Sequence, residues 1–539
     1  MISKSKNGQT FEQGAAILFI SGIFVKVIGA FFKIPLSSDY CLGDIGFGYF
    51  SSVYDIYLPI YALATTGIPS SVSRIISEYL AEKDYKNASL AFGFFKKIMF
   101  IIGIIGTLML LLLAFPFVKL TDNTGNTLYT YLLMCPAVLF SFLSTPLRGY
   151  FEGNRNMIPT AVSNIIDALS KILIGFTSAF ITIKLTGNFA LSSAAAIGGI
   201  ALGTMISYIF LNIYNLKHYK NDIILKESKI GNKILLNKLY KICIPIIISS
   251  FAINIFPFID SLTVRPILSA LLDSKENLTY VLESLNIDKS YLTEEIPTLL
   301  YGIKSKAYTV FNLIPVFAAF IASGALPSVT NYIASKDFKN ASNTVNSALK
   351  FTSVISFPLG CGLIFMGTPI MNLLYGDNSL NIGGIMLSIY GIAALFAGMI
   401  MVLTSVLQAN GKQNTALINI VIGLVLKFVS NIILVSIPSI NIYGAALSTL
   451  FGIGYIAIAN FVCIMNIKEI KILVFSSIFK PFISALICGI SAFLFYQINN
   501  NKFITIISIL LAGIIYLVFL CLFKTFSLKE LKKFLGKNV

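Results

Sequence analysis

Long apolar runs separated by short polar ones dominate the chain. Runs of about 20 residues, the length that crosses a bilayer core, are expected near 13–34, 48–68, 93–114, 127–147, 158–182, 190–214 and 242–265. They continue near 302–324, 348–368, 383–406, 415–437, 442–466, 474–497 and 503–523. The pattern predicts an all-α polytopic membrane protein of about 14 transmembrane helices. Polar residues 1–12 lead into the first run without a cleavage pattern, so the first helix is expected to stay as a signal anchor.

The runs repeat. Residues 58–89 carry Pro59 and Pro69 and end in Lys83-Asp-Tyr-Lys-Asn-Ala-Ser89. Residues 314–342 carry Pro315 and Pro327 and end in Lys336-Asp-Phe-Lys-Asn-Ala-Ser342. An offset of 256 residues pairs Pro59 with Pro315, Lys171 with Lys427, and Ala190-Leu191-Ser192 with Ala446-Leu447-Ser448. Such spacing predicts a duplication. Helices 1–6 form an N-lobe over 1–214, 215–241 is a cytoplasmic linker, and helices 7–12 form a C-lobe over 242–466. Residues 467–539 add helices 13–14 and a tail, with no counterpart. The KD(Y/F)KNAS segments read either as gate elements or as a repeated helix cap with a surface helix.

Composition agrees with the pattern: 56% of residues are hydrophobic, 12% are charged and the mean hydropathy is +0.84. A soluble chain carries about a quarter charged residues. Lysine and arginine set the orientation. Lys4 and Lys6, the segments after helices 2, 6 and 8, and the C-terminal tail are basic, whereas 266–301 is acidic (Asp273, Glu276, Glu283, Asp288, Glu294, Glu295). Both termini are therefore expected on the cytoplasmic side of the cytoplasmic membrane, and an even number of crossings per repeat makes the halves parallel. The net charge of +17 is mostly inner-face lysine suited to anionic lipid, and nucleic acid is not an expected partner. One histidine and seven cysteines without CxxC or zinc spacing predict no metal site and no disulfide framework.

The N-terminal text carries a family resemblance. Gly22-Ile-Phe-Val-Lys26-Val-Ile-Gly29-Ala-Phe-Phe-Lys33-Ile-Pro35-Leu36 precedes Leu42-Gly43-Asp44-Ile-Gly46-Phe-Gly48-Tyr49-Phe50. Tyr54, Tyr57, Leu58, Pro59 and Thr66-Gly67-Ile68-Pro69 follow, then Arg148-Gly-Tyr-Phe-Glu-Gly153-Asn-Arg-Asn-Met157 with Gln408-Ala-Asn-Gly411-Lys-Gln-Asn414 as its repeat partner. With its duplicated six-helix halves, the chain resembles the multidrug/oligosaccharidyl-lipid/polysaccharide exporter superfamily. Within it, the text is similar to the stage V sporulation protein B and polysaccharide transporter branch, next to the MurJ-type lipid II flippases. The resemblance implies a flippase that moves a polyprenyl-pyrophosphate saccharide from inner to outer leaflet by alternating access of two lobes. It also implies a central cavity lined by helices 1, 2, 7 and 8.

Ionisable groups inside a membrane cost several kcal/mol unless they face a partner or a wet cavity. Lys26 and Lys33 lie seven apart on one face of helix 1, Asp260 and Arg265 on helix 7, and Lys304 and Lys306 at the start of helix 8. These five cations are the candidate substrate-binding residues, since ammonium and guanidinium groups give charge-assisted hydrogen bonds to phosphate oxygens. Snorkelling to the outer surface is the competing reading for all but Lys26, which sits near mid-membrane. Asp55 and Asp260 are candidate coupling or cavity acids. Related flippases carry a cavity arginine on helix 2; here helix 2 has only Asp55, and the first basic residue, Arg74, lies beyond it. Asp167 and Lys171, like Arg148 and Glu152, are spaced to pair along one helix face; Gly423 stands in Asp167's place in the second repeat. Pro59, Gly67, Pro69, Pro315, Gly324 and Pro327 are candidate hinges, or fixed kinks.

Three functions compete. A lipid-linked saccharide flippase leads, and a drug exporter of the same fold, coupled to Na+ or H+, is second. A membrane-embedded glycan polymerase is third; its only candidate catalytic stretch, 266–301, has no DxD pair. No GxxxxGK[ST] motif suggests an ATP-driven pump. The expectation is therefore a transporter, not an enzyme, without cofactor, monomeric, with cell-wall synthesis proteins as candidate partners.

Overall fold

The computed structural model describes residues 11–121, 126–218, 254–288, 291–376 and 380–525, and every regular element among them is helical. The first helices are α1 (Phe11–Leu36), α2 (Gly43–Ala62), α3 (Ile68–Ala81), α4 (Tyr85–Thr121) and α5 (Leu128–Gly153). Next come α6 (Ile158–Ser170), α7 (Thr177–Thr186), α8 (Phe189–His218), α9 (Asn254–Leu272) and α10 (Lys275–Leu285). Then follow α11 (Ile296–Phe311), α12 (Leu313–Ala334), α13 (Phe338–Tyr375) and α14 (Leu380–Ala409). The last are α15 (Gln413–Val435), α16 (Tyr443–Met465), α17 (Lys480–Tyr496) and α18 (Lys502–Leu522).

Eleven of the described helical stretches are long and apolar enough to cross a membrane: α4, α5, α6 with α7, α8, α9 and α13 to α18. The other expected runs, 13–34, 48–68 and 302–324, fall on α1, on α2 with its continuation, and on α11 with α12. Expected run 242–265 is described only from Asn254, in a helix that continues to Leu272; 242–253 lie outside the described residues. The acidic stretch 266–301 is largely helical, holding the end of α9, α10, a 3-10 turn (Thr293–Glu295) and the start of α11. The linker from 219 onward, the first ten residues and the tail from 526 lie outside the described residues.

The helices are built inside out. On α18 the buried residues include Thr505, Ser508, Ala512 and Tyr516, while Phe503, Leu510, Ile514 and Leu517 are exposed. The Tyr516 hydroxyl donates to the Val354 carbonyl at 2.8 Å. Polar and small groups face the bundle and large apolar ones face outward, the arrangement a lipid solvent selects. On α13 and α14, Gly360 and Gly391 approach so closely that a Cβ on Gly391 would lie 2.7 Å from the Gly360 carbonyl.

The chain divides into two compact units, Met1–Ala270 with Ser290–Gly302, and Leu271–Lys289 with Ile303–Val539. Nearly all of α9 thus belongs to the first unit, and a unit boundary falls inside α11.

Proline explains the broken helices. Pro69, at the start of α3, has no N–H and its ring crowds the carbonyl of residue 65; the preceding Leu63–Gly67 winds as a π-helix. The hydroxyls of Thr65 and Thr145 donate to the Tyr61 and Ala64 carbonyls, each at 2.8 Å. Pro315 acts in the same way on Phe311, and the helix breaks at Asn312 between α11 and α12. Pro59 lies in the last turn of α2. Gly324 and Pro327 lie in α12, within a stretch described by its backbone alone.

The repeated KD(Y/F)KNAS signature is a helix cap in each unit. Lys83 and Lys336 adopt φ 60 and φ 59, reversing the chain. The next residues, Asp84 and Asp337, accept from the Asn87 and Asn340 backbone N–H groups, each at 3.1 Å. The same carboxylates accept from the Asn87 and Asn340 side-chain amides. Each cap opens a very long helix, α4 or α13, by satisfying donors that the helix leaves without internal partners.

Candidate functional site

In the first unit charged side chains on α1, α2, α6, α9 and the π-helical turn after α6 gather with polar ones from the start of α11. Along α2 the rings of Phe47, Phe50, Tyr54, Tyr57 and Tyr61 follow one another with centroids 5.2–6.3 Å apart, because their spacing of three or four residues puts them on one face. Lys33 of α1 is half-buried with Nζ 4.5 Å from the Tyr54 ring centroid. Lys26 is exposed on the same helix and within electrostatic reach of Lys171.

Lys171 closes the deeper end of this ladder. Its Nζ lies 3.1 Å from Asp167 Oδ2 and 4.7 Å from the Tyr61 ring centroid. The Tyr61 hydroxyl donates to the same Asp167 oxygen at 2.5 Å. The expected Asp167–Lys171 ion pair is therefore present. Its partner in the second unit, Lys427, is fully buried and donates to Thr449 Oγ1 at 2.6 Å.

The pairing expected of Arg148 with Glu152 is not an ion pair. The Arg148 guanidinium turns toward α8, where Nη2 donates to Ser207 Oγ at 3.4 Å. Its Nε and Nη1 are buried without a hydrogen-bond partner among the described residues.

Arg265 heads a second polar cluster in the first unit. It is 2% exposed. Nη1 donates to Ser52 Oγ at 3.2 Å, Nη2 donates to Thr298 Oγ1 at 2.6 Å, and the guanidinium lies 5.7 Å from the Tyr49 ring centroid. Ser261 Oγ donates to the Ser52 carbonyl at 2.5 Å, and the Tyr301 hydroxyl donates to Asp55 Oδ2 at 2.8 Å. Asp260 is fully buried on the same helix as Arg265. Backbones make this possible: a Cβ on Gly48 would collide with the Thr298 carbonyl, and one on Gly302 with the Asp44 carbonyl. Arg265 thus does not snorkel to a surface.

In the second unit Lys304 and Lys306 are also fully buried. Lys304 Nζ is 5.3 Å from the Tyr308 ring centroid and Lys306 Nζ is 5.3 Å from that of Tyr375. Neither reaches outward as a snorkelling lysine would. The structure brings Asp55 and Arg265 into one cluster with Asp260 on the same helix. It puts Lys26 and Lys33 on α1 and Lys304 and Lys306 on α11 of the second unit.

Sequence reasoning missed the aromatic half of the site. Five buried or half-buried cations each lie over a tyrosine face, a contact worth ~2 kcal/mol or more when desolvated. The spacing of Tyr54, Tyr57 and Tyr61 was the available signal. Among the described residues no group of three or more His, Cys, Asp or Glu side chains could hold a metal ion.

Comparison with known proteins agrees with this architecture. Residues 11–327 match the family described as polysaccharide biosynthesis protein, and residues 302–433 match the family described as MatE. The chain is 24% identical to the lipid II flippase MurJ of Bacillus subtilis (strain 168), over 98% of this chain and 97% of that one. It is 23% identical to stage V sporulation protein B of the same organism, over 97% and 98%. Among solved structures, lipid II flippase MurJ in an inward closed conformation covers 94% of this chain and 99% of its own, with TM-score 0.68 and 17% identity. An inward-facing multidrug resistance MATE family transporter of the MOP superfamily covers 84% and 98%, with TM-score 0.64 and 13% identity. These likenesses agree with the helical membrane fold read from the sequence, and the match over 11–327 assigns the chain to the polysaccharide biosynthesis protein family.

Proposed function

We propose that the protein is a flippase for a saccharide linked to a polyprenyl pyrophosphate, moving it from the inner to the outer leaflet of the cytoplasmic membrane by alternating access. The observation that carries this reading is Lys26, an exposed ammonium on the membrane helix α1, beside the half-buried Lys33. A pyrophosphate cannot cross hydrocarbon bare, and its path must replace water with fixed donors. Arg265, Lys304 and Lys306 are held on tyrosine faces in this state and are further candidate donors; Asp55 and Asp260 limit the positive field. The names of the two Bacillus relatives support a lipid-linked cargo and a setting in cell-wall or spore synthesis. In this reading the lobes are 1–214 and 242–466, joined by 215–241, with both termini cytoplasmic. Pro59, Gly67, Pro69, Pro315, Gly324 and Pro327 lie where the helices bend between states.

The second reading is a drug exporter coupled to Na+ or H+, favoured by the likeness to the MATE transporter and by the buried carboxylates Asp55, Asp167 and Asp260. Complementation of a flippase-depleted cell separates the two. Lys26→Ala is expected to lose complementation at normal membrane abundance, and Lys26→Arg to keep much of it. Full complementation by Lys26→Ala rejects the anion-binding role.

A further inference from the structure

We infer that the first unit contains a monovalent-cation site whose occupant is the chain's own Lys171. An ordinary pair four residues apart on a helix is complete with its two charges. This one is enclosed by a second helix. The ammonium lies 3.1 Å from Asp167 Oδ2 and 4.7 Å from the Tyr61 ring centroid. The Tyr61 hydroxyl donates to that same oxygen at 2.5 Å. Asp167 is fully buried and Lys171 is 7% exposed. The other carboxylate oxygen, Asp167 Oδ1, is buried without a hydrogen-bond partner among the described residues, so the anion keeps unused accepting capacity.

The backbone supplies an independent sign. A π-helical segment adjoins each partner in its own helix: Leu63–Gly67, ahead of Pro69, begins two residues after Tyr61, and Lys171–Phe176 begins at Lys171 itself. Single-turn π segments in membrane and soluble helices frequently mark functional sites. Other charges near the site are Lys26 on α1, within electrostatic reach of Lys171, and Arg148 on α5, within reach of Tyr61; α8 contributes the Ser207 hydroxyl, bonded to Arg148. Carboxylate, phenol and ring face together form a negative, ammonium-sized enclosure. The native chain fills it with a tethered cation, so a free coupling cation is not needed there. Shortening Lys171 to alanine leaves a hole that a small free cation can enter. Residue 423 of the second half is glycine, and no such site is expected beside Lys427.

The test reads binding through stability and does not depend on the flippase reading. Purified full-length Lys171→Ala is heated in methylammonium, sodium or potassium chloride, against the same concentration of N-methylglucamine chloride. Methylammonium at about 100 times its Kd is expected to raise its Tm by about 2 °C while leaving the wild type and Lys171→Met, whose side chain fills the hole, unmoved. A Lys171→Ala protein indifferent to small cations, or a wild type equally stabilised, overturns the inference. Should Lys171→Ala not accumulate, membrane levels decide it: Lys171→Met alone leaves a buried carboxylate unbalanced, and adding Asp167→Asn is expected to restore the level. Equal depletion of the single and the double variant also overturns it.

Discussion

Lys171 and Lys427 occupy the same position in the two halves of a duplicated chain, and both are buried. Their surroundings have diverged. Lys171 faces a carboxylate and a tyrosine at the start of a π-helical segment. Lys427 sits in the regular helix α15 and donates to the Thr449 hydroxyl. The cause is visible one turn earlier. Where the first half has Asp167, the second has Gly423, and a Cβ there would collide with Ile456 of α16. In the second half the Ile456 side chain and the Gly452 carbonyl occupy the space that a side chain at 423 would need. The two buried ammonium groups thus differ in a named partner: a carboxylate one turn earlier for Lys171, and the Thr449 hydroxyl for Lys427.

The largest effect is expected from removing the counter-charge. Asp167→Asn leaves the Lys171 ammonium buried without a carboxylate, and breaking one side of a buried pair costs ~3–5 kcal/mol. Thr449→Val removes one hydrogen bond to a charged group in the other half, ~1.5–3 kcal/mol. Thermal unfolding of the two purified variants should rank them in that order. Thr449→Val losing more than Asp167→Asn would mean that packing, and not charge, holds these lysines.

A second variant tries to turn one half into the other. Gly423→Asp is expected to cost ~1–3 kcal/mol because Ile456 occupies the space. Adding Ile456→Ala removes the side-chain clash and leaves the milder contact with the Gly452 carbonyl, 2.9 Å from the new Cβ. The double variant should be less destabilised than the sum of the two singles, a positive coupling that a double-mutant cycle measures. Strict additivity would show that the new carboxylate never meets Lys427.

The sequence made the helices legible because lipid demands long apolar runs, and the duplication legible because its offset recurs at Pro59, Lys171 and Ala190. The bend at Pro315 was readable as well, although the break itself comes earlier, at Asn312. The site was only half legible. Asp167 and Lys171 share a helix face, and spacing alone pairs them. Their third member, Tyr61, lies 106 residues from Asp167 in the chain, and nothing local says which helices will touch. Spacing also paired Arg148 with Glu152, yet the guanidinium turns to Ser207 on α8. A helix offers more than one face of neighbours, and tertiary packing chooses among them.

The smallest effect tests the repeat at its backbone. Arg155 and Gly411 stand at the same offset of 256 and close the same turn, with φ 55 and φ 72. The hydrogen bonds match one for one. Asn154 N–H donates to the Tyr150 carbonyl, Arg155 N–H to Glu152 and Asn156 N–H to Phe151; Asn410, Gly411 and Lys412 donate to Val406, Gln408 and Leu407. Glycine adopts this left-handed conformation freely, whereas a residue with a Cβ is strained there by ~1–2 kcal/mol. A Cβ on Gly411 would meet nothing within 4 Å, so any cost of adding one is conformational. Gly411→Ala is therefore expected to lower stability by ~1 kcal/mol. Arg155→Gly relieves the same strain but frees the unfolded chain, for a net gain of a few tenths to ~1 kcal/mol. Thermal unfolding of the two variants should show Tm shifts of opposite sign; shifts of the same sign would mean that the two turns, alike in their hydrogen bonds, are not held by the same backbone energetics.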